Sequence, residues 1–465
     1  MKSLAPWLLA LLLACASAGA GVWGYREHQR YEAAARDSDF YQTQARLKQS
    51  DNERLEATIG KQNKEIAASY ESAQQKAIEQ QVVAIRGLNF KEPVQYETLS
   101  HDNIIKVFAE KMAEQTSDED FKHSAASLAA FGIVEPNYPL KEKYLALLGE
   151  QVAAFYDQHK HKLYMFDNST LHNIQNRVVL AHELTHALQD QNFGLLRMPV
   201  EVKDDDDLVL ATTALIEGDA TQLMADYEAK TMSLQTFTDS IAGALSQNMQ
   251  QYERSPRFIR ETLVFPYTHG KQFCEALYER GGYQAISAAF SRPPTSTTQI
   301  LHPEKYFAHE EPIRVEWPDT ALSGKKPTDD NVMGEFSIRL LFYKFMDEAT
   351  ADYAAEGWRG DRYLVYDDGQ GFVWETLWQD NGHMRNYRDA LETYVQKRFK
   401  KSGVNSSDAD NISFSSPSIP AVKPGAPDTP AYTGEIVSPK SGNEVILIWG
   451  ATKEMNDSLV AKFKQ

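Results

Sequence analysis

The sequence predicts an α+β protein: a mainly helical domain with a small edge-strand sheet, preceded by an N-terminal helical stalk. Three observations predict it. Arg26 to Gln81 is rich in Ala, Gln, Glu, Lys and Arg, has no proline and has only Gly60, which is helix composition. "HKLYMFD", His161 to Asp167, alternates and is aromatic, as a short strand does. "VVLAHELTHALQDQ", Val178 to Gln191, sets Leu180, Leu184, Ala187 and Leu188 at helical spacing. With 465 residues, of which 42% are hydrophobic, the chain has ample material for a sizeable core.

Taken in order, residues 1–25 open the chain with an uncharged run from Leu4 to Tyr25. Its length suits an uncleaved membrane anchor. Lys2 and the small residues Ala16, Ser17 and Ala18 equally suit a cleaved signal peptide, and "LLAC" up to Cys15 resembles a lipoprotein acylation site. All three outcomes stay open. Residues 26–86 form the stalk. A heptad register places Ile59, Ile66 and Ala73 on one seam but Leu55, Gln62, Ser69 and Lys76 on the other, so self-association through this helix has little support.

Pro93 ends the stalk and opens the main domain, expected over 87–400. Tyr144, Leu147, Leu148, Val152 and Phe155 keep helical spacing and read as a core-facing stripe. Asn168, Ser169 and Thr170 offer caps for the following helix. The four aspartates from Asp204 read as a solvated helix start, with calcium as the rarer alternative. Residues 401–434, rich in Pro, Ser, Gly and Asp, read as a linker or surface loop. "NEVILIWGAT", within 435–465, reads as an added edge strand before a last helix.

Charge and composition exclude several functions. A net charge of -17 leaves no basic surplus for phosphates, so nucleic acid is not an expected partner. Two cysteines, Cys15 and Cys274, do not make a disulfide framework. A metal would need histidines and carboxylates. No G-x-S-x-G elbow and no P-loop is present.

The chemistry sits in "AHELTH". Residues four apart share a helix face, so His182 and His186 can meet one ion, while Glu183 is rotated by roughly 100°. That offset keeps Glu183 off the ion yet within reach of a water that it can deprotonate. The rival interpretation is two surface histidines on a helix.

"AHELTHALQDQ" followed by "ALIEGDA" resembles the zincin superfamily of metallopeptidases, and within it the gluzincins. The likeness extends through "EQVAAFYD", "PPTSTTQILHPEKY" and "GWRGDRYLVY" to uncharacterised bacterial zincin-like proteins. The resemblance implies zinc held by His182, His186 and Glu217, with Glu183 as general base. Asp219 is the rival third ligand. Gluzincins often carry an aspartate four residues after the glutamate ligand; here that position is Thr221, which leaves Asp190 as another candidate to orient a histidine. For the second donor to the oxyanion, His302 is favoured over Tyr267 and His269, because Pro303 after it suggests a loop able to enter a cleft.

The expected function is therefore zinc-dependent hydrolysis of peptide bonds in a peptide or protein substrate, in the bacterial envelope, with the N-terminal segment at the membrane. The alternative is an envelope binding or assembly protein that keeps a zincin-like fold with structural metal or none.

Overall fold

Helix α1 (Ser38–Arg86) is the first element of the structure, a computed structural model that describes residues 38–463 except 152–153, 167–169, 232–249, 318, 323, 400–402, 407–410, 417–430 and 439–441. The N-terminal run and Cys15 lie outside the described residues. Among the described residues, no helix is long and apolar enough to cross a membrane. The chain divides at Ala73 into two units, so the packed unit starts inside α1, at Gln74, rather than at the expected 86/87 boundary. The reason is visible along the helix: Leu55, Ile66 and Tyr70 are exposed, whereas Ile78 and Val82 are buried in the core of the second unit.

The second unit is α+β. Its first part holds β1 (Gln95–Leu99), α2 (His101–Gln115), α3 (Asp118–Ala130) and α4 (Leu140–Gln151), then β2 (Ala154–Asp157) and β3 (Lys162–Phe166). The sheet order is β1-β3-β2, parallel between β1 and β3 and antiparallel between β3 and β2. Two expectations change here. The helical stripe does not reach Phe155, which is in β2, opposite and stacked on Tyr164 at 4.8 Å. A cross-strand aromatic pair outweighs the helical spacing. The short strand expected before the motif helix, β3, is the central one of this sheet, and the edge next to the motif is β2.

The motif helix is α5 (Ile174–Phe193). Its cap is Asn173, whose side chain accepts from Gln175 N; Asn168 and Ser169 are outside the described residues. It stops where Gly194 takes a left-handed φ of 74°. After it come α6 (Asp206–Thr231), α7 (Gln250–Arg254) and α8 (Arg257–Ser291), the last breaking its helical path at Gly281 and Gly282. The aspartate run is not simply solvated: the helix starts at Asp206, and Asp207 is buried and accepts from Thr297.

Helices α6 and α8 meet backbone to backbone. A Cβ on Gly218 would lie 2.2 Å from the carbonyl oxygen of Gly270, and one on Gly270 would lie 2.1 Å from that of Ala214. Only glycines permit this approach. It brings Tyr267, one turn before Gly270, beside Glu217, the neighbour of Gly218. Cys274 is buried against the same helix, its thiol pushed well above its usual pKa by burial.

The rest of the unit runs through α9 (Thr297–Leu301), α10 (Pro303–Phe307), β4 (Asp329–Asn331), α11 (Gly334–Tyr343), α12 (Glu348–Ala355), β5 (Trp358–Tyr366) and β6 (Gly371–Trp378). Then follow α13 (Asn381–Arg398), β7 (Gly403–Ser406), β8 (Asn411–Ser416), β9 (Tyr432–Val437), β10 (Glu444–Gly450) and α14 (Lys453–Phe463). The strands form a second sheet, ordered β4-β5-β6-β10-β9-β8-β7. The expected linker thus contributes strands at both its ends, and the expected edge strand is internal, with Leu447 opposite Trp374 on one side and Ile436 on the other. "EVILIWG" does not alternate because both faces are covered: Leu447 and Trp449 pack with α13, Ile446 and Ile448 with Leu459 and Phe463 of α14.

Candidate metal centre

Contact between helices α5 and α6 brings the motif together. His182 and His186 lie one turn apart on α5, and Glu217 reaches them from α6. His182 Nε2 is 3.1 Å from Glu217 Oε2, His186 Nε2 is 3.4 Å from the same oxygen, and the two nitrogens are 3.1 Å apart. Among the described residues this is the one His/Cys/Asp/Glu group with ligand atoms close enough to share an ion.

The tautomer of His186 follows from its neighbour. Gln189, fully buried, donates from Nε2 to Ile216 O and to Asp219 Oδ2, both at 2.9 Å. Its Oε1 therefore faces His186 Nδ1, at 2.9 Å, and accepts that proton. The lone pair of His186 is then on Nε2, aimed at His182 and Glu217. Donor atoms packed this closely repel unless a cation lies between them. Ligands of a tetrahedral zinc at about 2.0–2.1 Å stand roughly 3.3 Å from one another, which is the spacing found here, so the residues fit the metal.

Without a metal, a proton serves the same purpose. Burial works against a charge on His186, but the carboxylates of Glu217 and Glu183 outweigh it and lift its pKa to about 9. Burial likewise disfavours charge on Glu217, and the two histidines reverse that, holding its carboxyl well below the usual range.

Glu183 is buried and points elsewhere on the helix. Its Oε2 accepts from the backbone N–H of Tyr156 on β2 at 2.8 Å. Burial raises its pKa, the histidines pull it back, and Glu217 adds to the rise. Tyr267 from α8 completes the group. Its ring lies 6.1 Å from that of His182 and nearly parallel. The charge of Glu217 and burial push its phenol well above the usual pKa, so it remains a donor. The residue as a whole is 45% exposed, while its phenol end, beside Glu217, is the desolvated part.

The remaining candidates are engaged elsewhere. His302 Nε2 is 2.9 Å from Glu335 Oε1, with Arg339 on the same carboxylate. Glu335 is fully buried, and Arg339 and His302 both engage its Oε1. His269 packs on Phe265 and Phe336. No described contact joins either histidine to the cluster. Asp219 is not in the ligand group; it takes Arg86 Nε at 3.1 Å and supports Gln189. Asp190 bonds Tyr156 Oη, His161 and Leu195 N, fixing β2 and the end of α5 rather than either ligand histidine. Gln189 was missed by the sequence analysis, although it stands only three residues after His186. Arg86 has no local signal at all.

A family model described as "Domain of unknown function (DUF8575)" matches residues 322–422, which run from before β4 to beyond the end of β8 and include none of the cluster residues. That part of the chain is similar to that family. No curated protein and no solved structure matches the chain.

Proposed function

We propose that the chain is a zinc-dependent metallopeptidase with a gluzincin-like catalytic domain, held at the bacterial envelope through its N-terminal segment. The observation that carries this is the convergence of His182, His186 and Glu217 with Glu183 alongside but outside the ligand group. When bound, zinc would polarise the scissile carbonyl and bring the pKa of water to about 7.

The chain's own residues supply the rest. Glu183 takes a proton from the attacking water as the new C–O bond forms at the carbonyl carbon. The N–H of Tyr156 holds the carboxylate in place, and its raised pKa helps it keep the proton until the nitrogen of the breaking C–N bond needs it. Negative charge on the former carbonyl oxygen requires a donor, and Tyr267, protonated and beside Glu217, is better placed for that than His302. Gln189 keeps His186 turned toward the ion.

The test is metal analysis of the purified chain paired with digestion of a peptide mixture by wild type and Glu183→Gln. Stoichiometric zinc, wild-type cleavage and a roughly 10² to 10⁴-fold loss in the variant support the reading. Zinc without cleavage by wild type would leave an envelope binding protein with a structural ion.

A further inference from the structure

A cavity of about 470 Å³ adjoins the cluster, with Glu217 and Tyr267 among its lining residues. That volume is in the range of specific ligand sites. Its walls are apolar, from Phe121 and Leu128 on α3 to Phe258 and Leu263 on α8. Its polar end is acidic. Asp206, in the first turn of α6, and Asp329, on β4, both line it, and the two segments are tied by Asp206 N donating to Asn331 Oδ1 at 2.8 Å.

Nothing cationic answers these two carboxylates. No Lys, Arg or His lines the cavity, and among the described residues neither aspartate makes an ion pair. Asp329 is met by neutral hydroxyls, Ser127 Oγ and Tyr363 Oη. The nearby arginine, Arg362, is spent on Asp330. Two carboxylates in one cavity are unfavourable unless a cation joins them or a proton is shared.

We infer that this cavity is the specificity pocket for a lysine or arginine side chain of the bound substrate, with its stem between the apolar walls and its charged end at Asp206 and Asp329. The two long cationic side chains combine an apolar stem with a charged tip, which is the distribution the cavity offers. A norleucine side chain fits the walls but leaves the carboxylates unanswered, and a glutamate adds a third negative charge. The inference rests on the peptidase reading for its substrate, but it concerns binding and is tested as binding.

Blocked Ala-Xaa-Ala peptides with Arg, norleucine or Glu at Xaa would be titrated calorimetrically into the zinc-loaded full chain carrying Glu183→Gln. The arginine peptide should bind about tenfold or more tighter than the norleucine peptide, and the glutamate peptide weakest. Adding Asp206→Asn and Asp329→Asn should erase the arginine advantage while leaving norleucine binding within about twofold. Equal binding of the arginine and norleucine peptides, no binding of any, or an arginine advantage that survives both substitutions would each overturn the assignment. The comparison among peptides needs no cavity variant, so it holds even if the double substitution does not fold. Arginine-selective binding with no cleavage by wild type would leave the pocket standing and remove the peptidase reading.

Discussion

Arg86, the last residue of α1, donates from Nε to Oδ2 of Asp219, two residues beyond Glu217, at 3.1 Å. Both side chains are essentially inaccessible, at 1% and 0%. Arg86 also reaches Tyr283 O and Ser287 on α8, so one guanidinium joins three helices behind the cluster. Removing one partner of such a pair strands a buried charge, which typically costs about 3–5 kcal/mol. Arg86→Met should therefore lower the unfolding free energy by about that much, and Arg86→Met with Asp219→Asn should recover a large part of it. Urea denaturation of both variants checks this; equal losses in the two would show that packing of the arginine, not its charge, matters.

The same aspartate holds Gln189, and Gln189 sets the proton on His186. Gln189→Ala should leave the fold intact enough to bind zinc but weaken that binding roughly 10- to 100-fold, the usual effect of losing a partner that orients a ligand. Competition with a chromogenic chelator reads the affinity directly. Unaltered affinity would mean that helix geometry alone orients His186.

The contrast between these residues explains what the sequence could and could not reveal. His182, Glu183 and His186 were legible because helical spacing fixes their mutual directions within two turns, and Glu217 because it interrupts an apolar helix. Arg86 and Asp219 are 133 positions apart, so their pairing is a property of the fold alone. His302 was favoured on the local argument that Pro303 makes a loop; the structure puts that residue at the start of a short helix, where its side chain makes no cap and instead meets the buried Glu335, a demand invisible in the flanking residues. The strands of the second sheet show the same limit. Their composition was readable in "EVILIWG", but being internal depends on partners far away in the chain, including strands inside a Pro- and Ser-rich stretch.

Tyr267 and His302 make opposite predictions. Tyr267 stands over His182 with its phenol protonated beside Glu217, so Tyr267→Phe should reduce turnover roughly 10² to 10³-fold with zinc content unchanged. His302→Ala should instead lower stability by about 1–3 kcal/mol, by taking a hydrogen bond from the buried Glu335 carboxylate, and leave turnover of the folded fraction near wild type. Steady-state kinetics alongside thermal unfolding separates the two. A reversal, with His302→Ala inactive and Tyr267→Phe active, would return the oxyanion role to His302.

Asp206 gives stability a defined pH dependence. Asp206 is exposed as a residue, but its carboxyl faces the cavity, where desolvation first, and the charge of Asp329 second, push its pKa from the ordinary 3.8 up to about 6. A carboxyl raised in this way binds a proton more tightly in the folded chain than in the unfolded one. Its unfavourable contribution is absent below about pH 3.8, grows as pH rises toward 6, and persists in full above that. Asn keeps the shape and removes the charge. Asp206→Asn should therefore raise the melting temperature at pH 7.5 and change it little at pH 3.5, with the difference developing across that window. Asp329 is itself raised by burial, and removing the charge of Asp206 relieves the repulsion between the two, which adds to the gain rather than cancelling it. Melting curves of the two chains at half-unit pH steps measure this, and an effect of equal size at pH 3.5 and 7.5 would mean that the aspartate acts through the backbone bond of the α6 start and not through its charge.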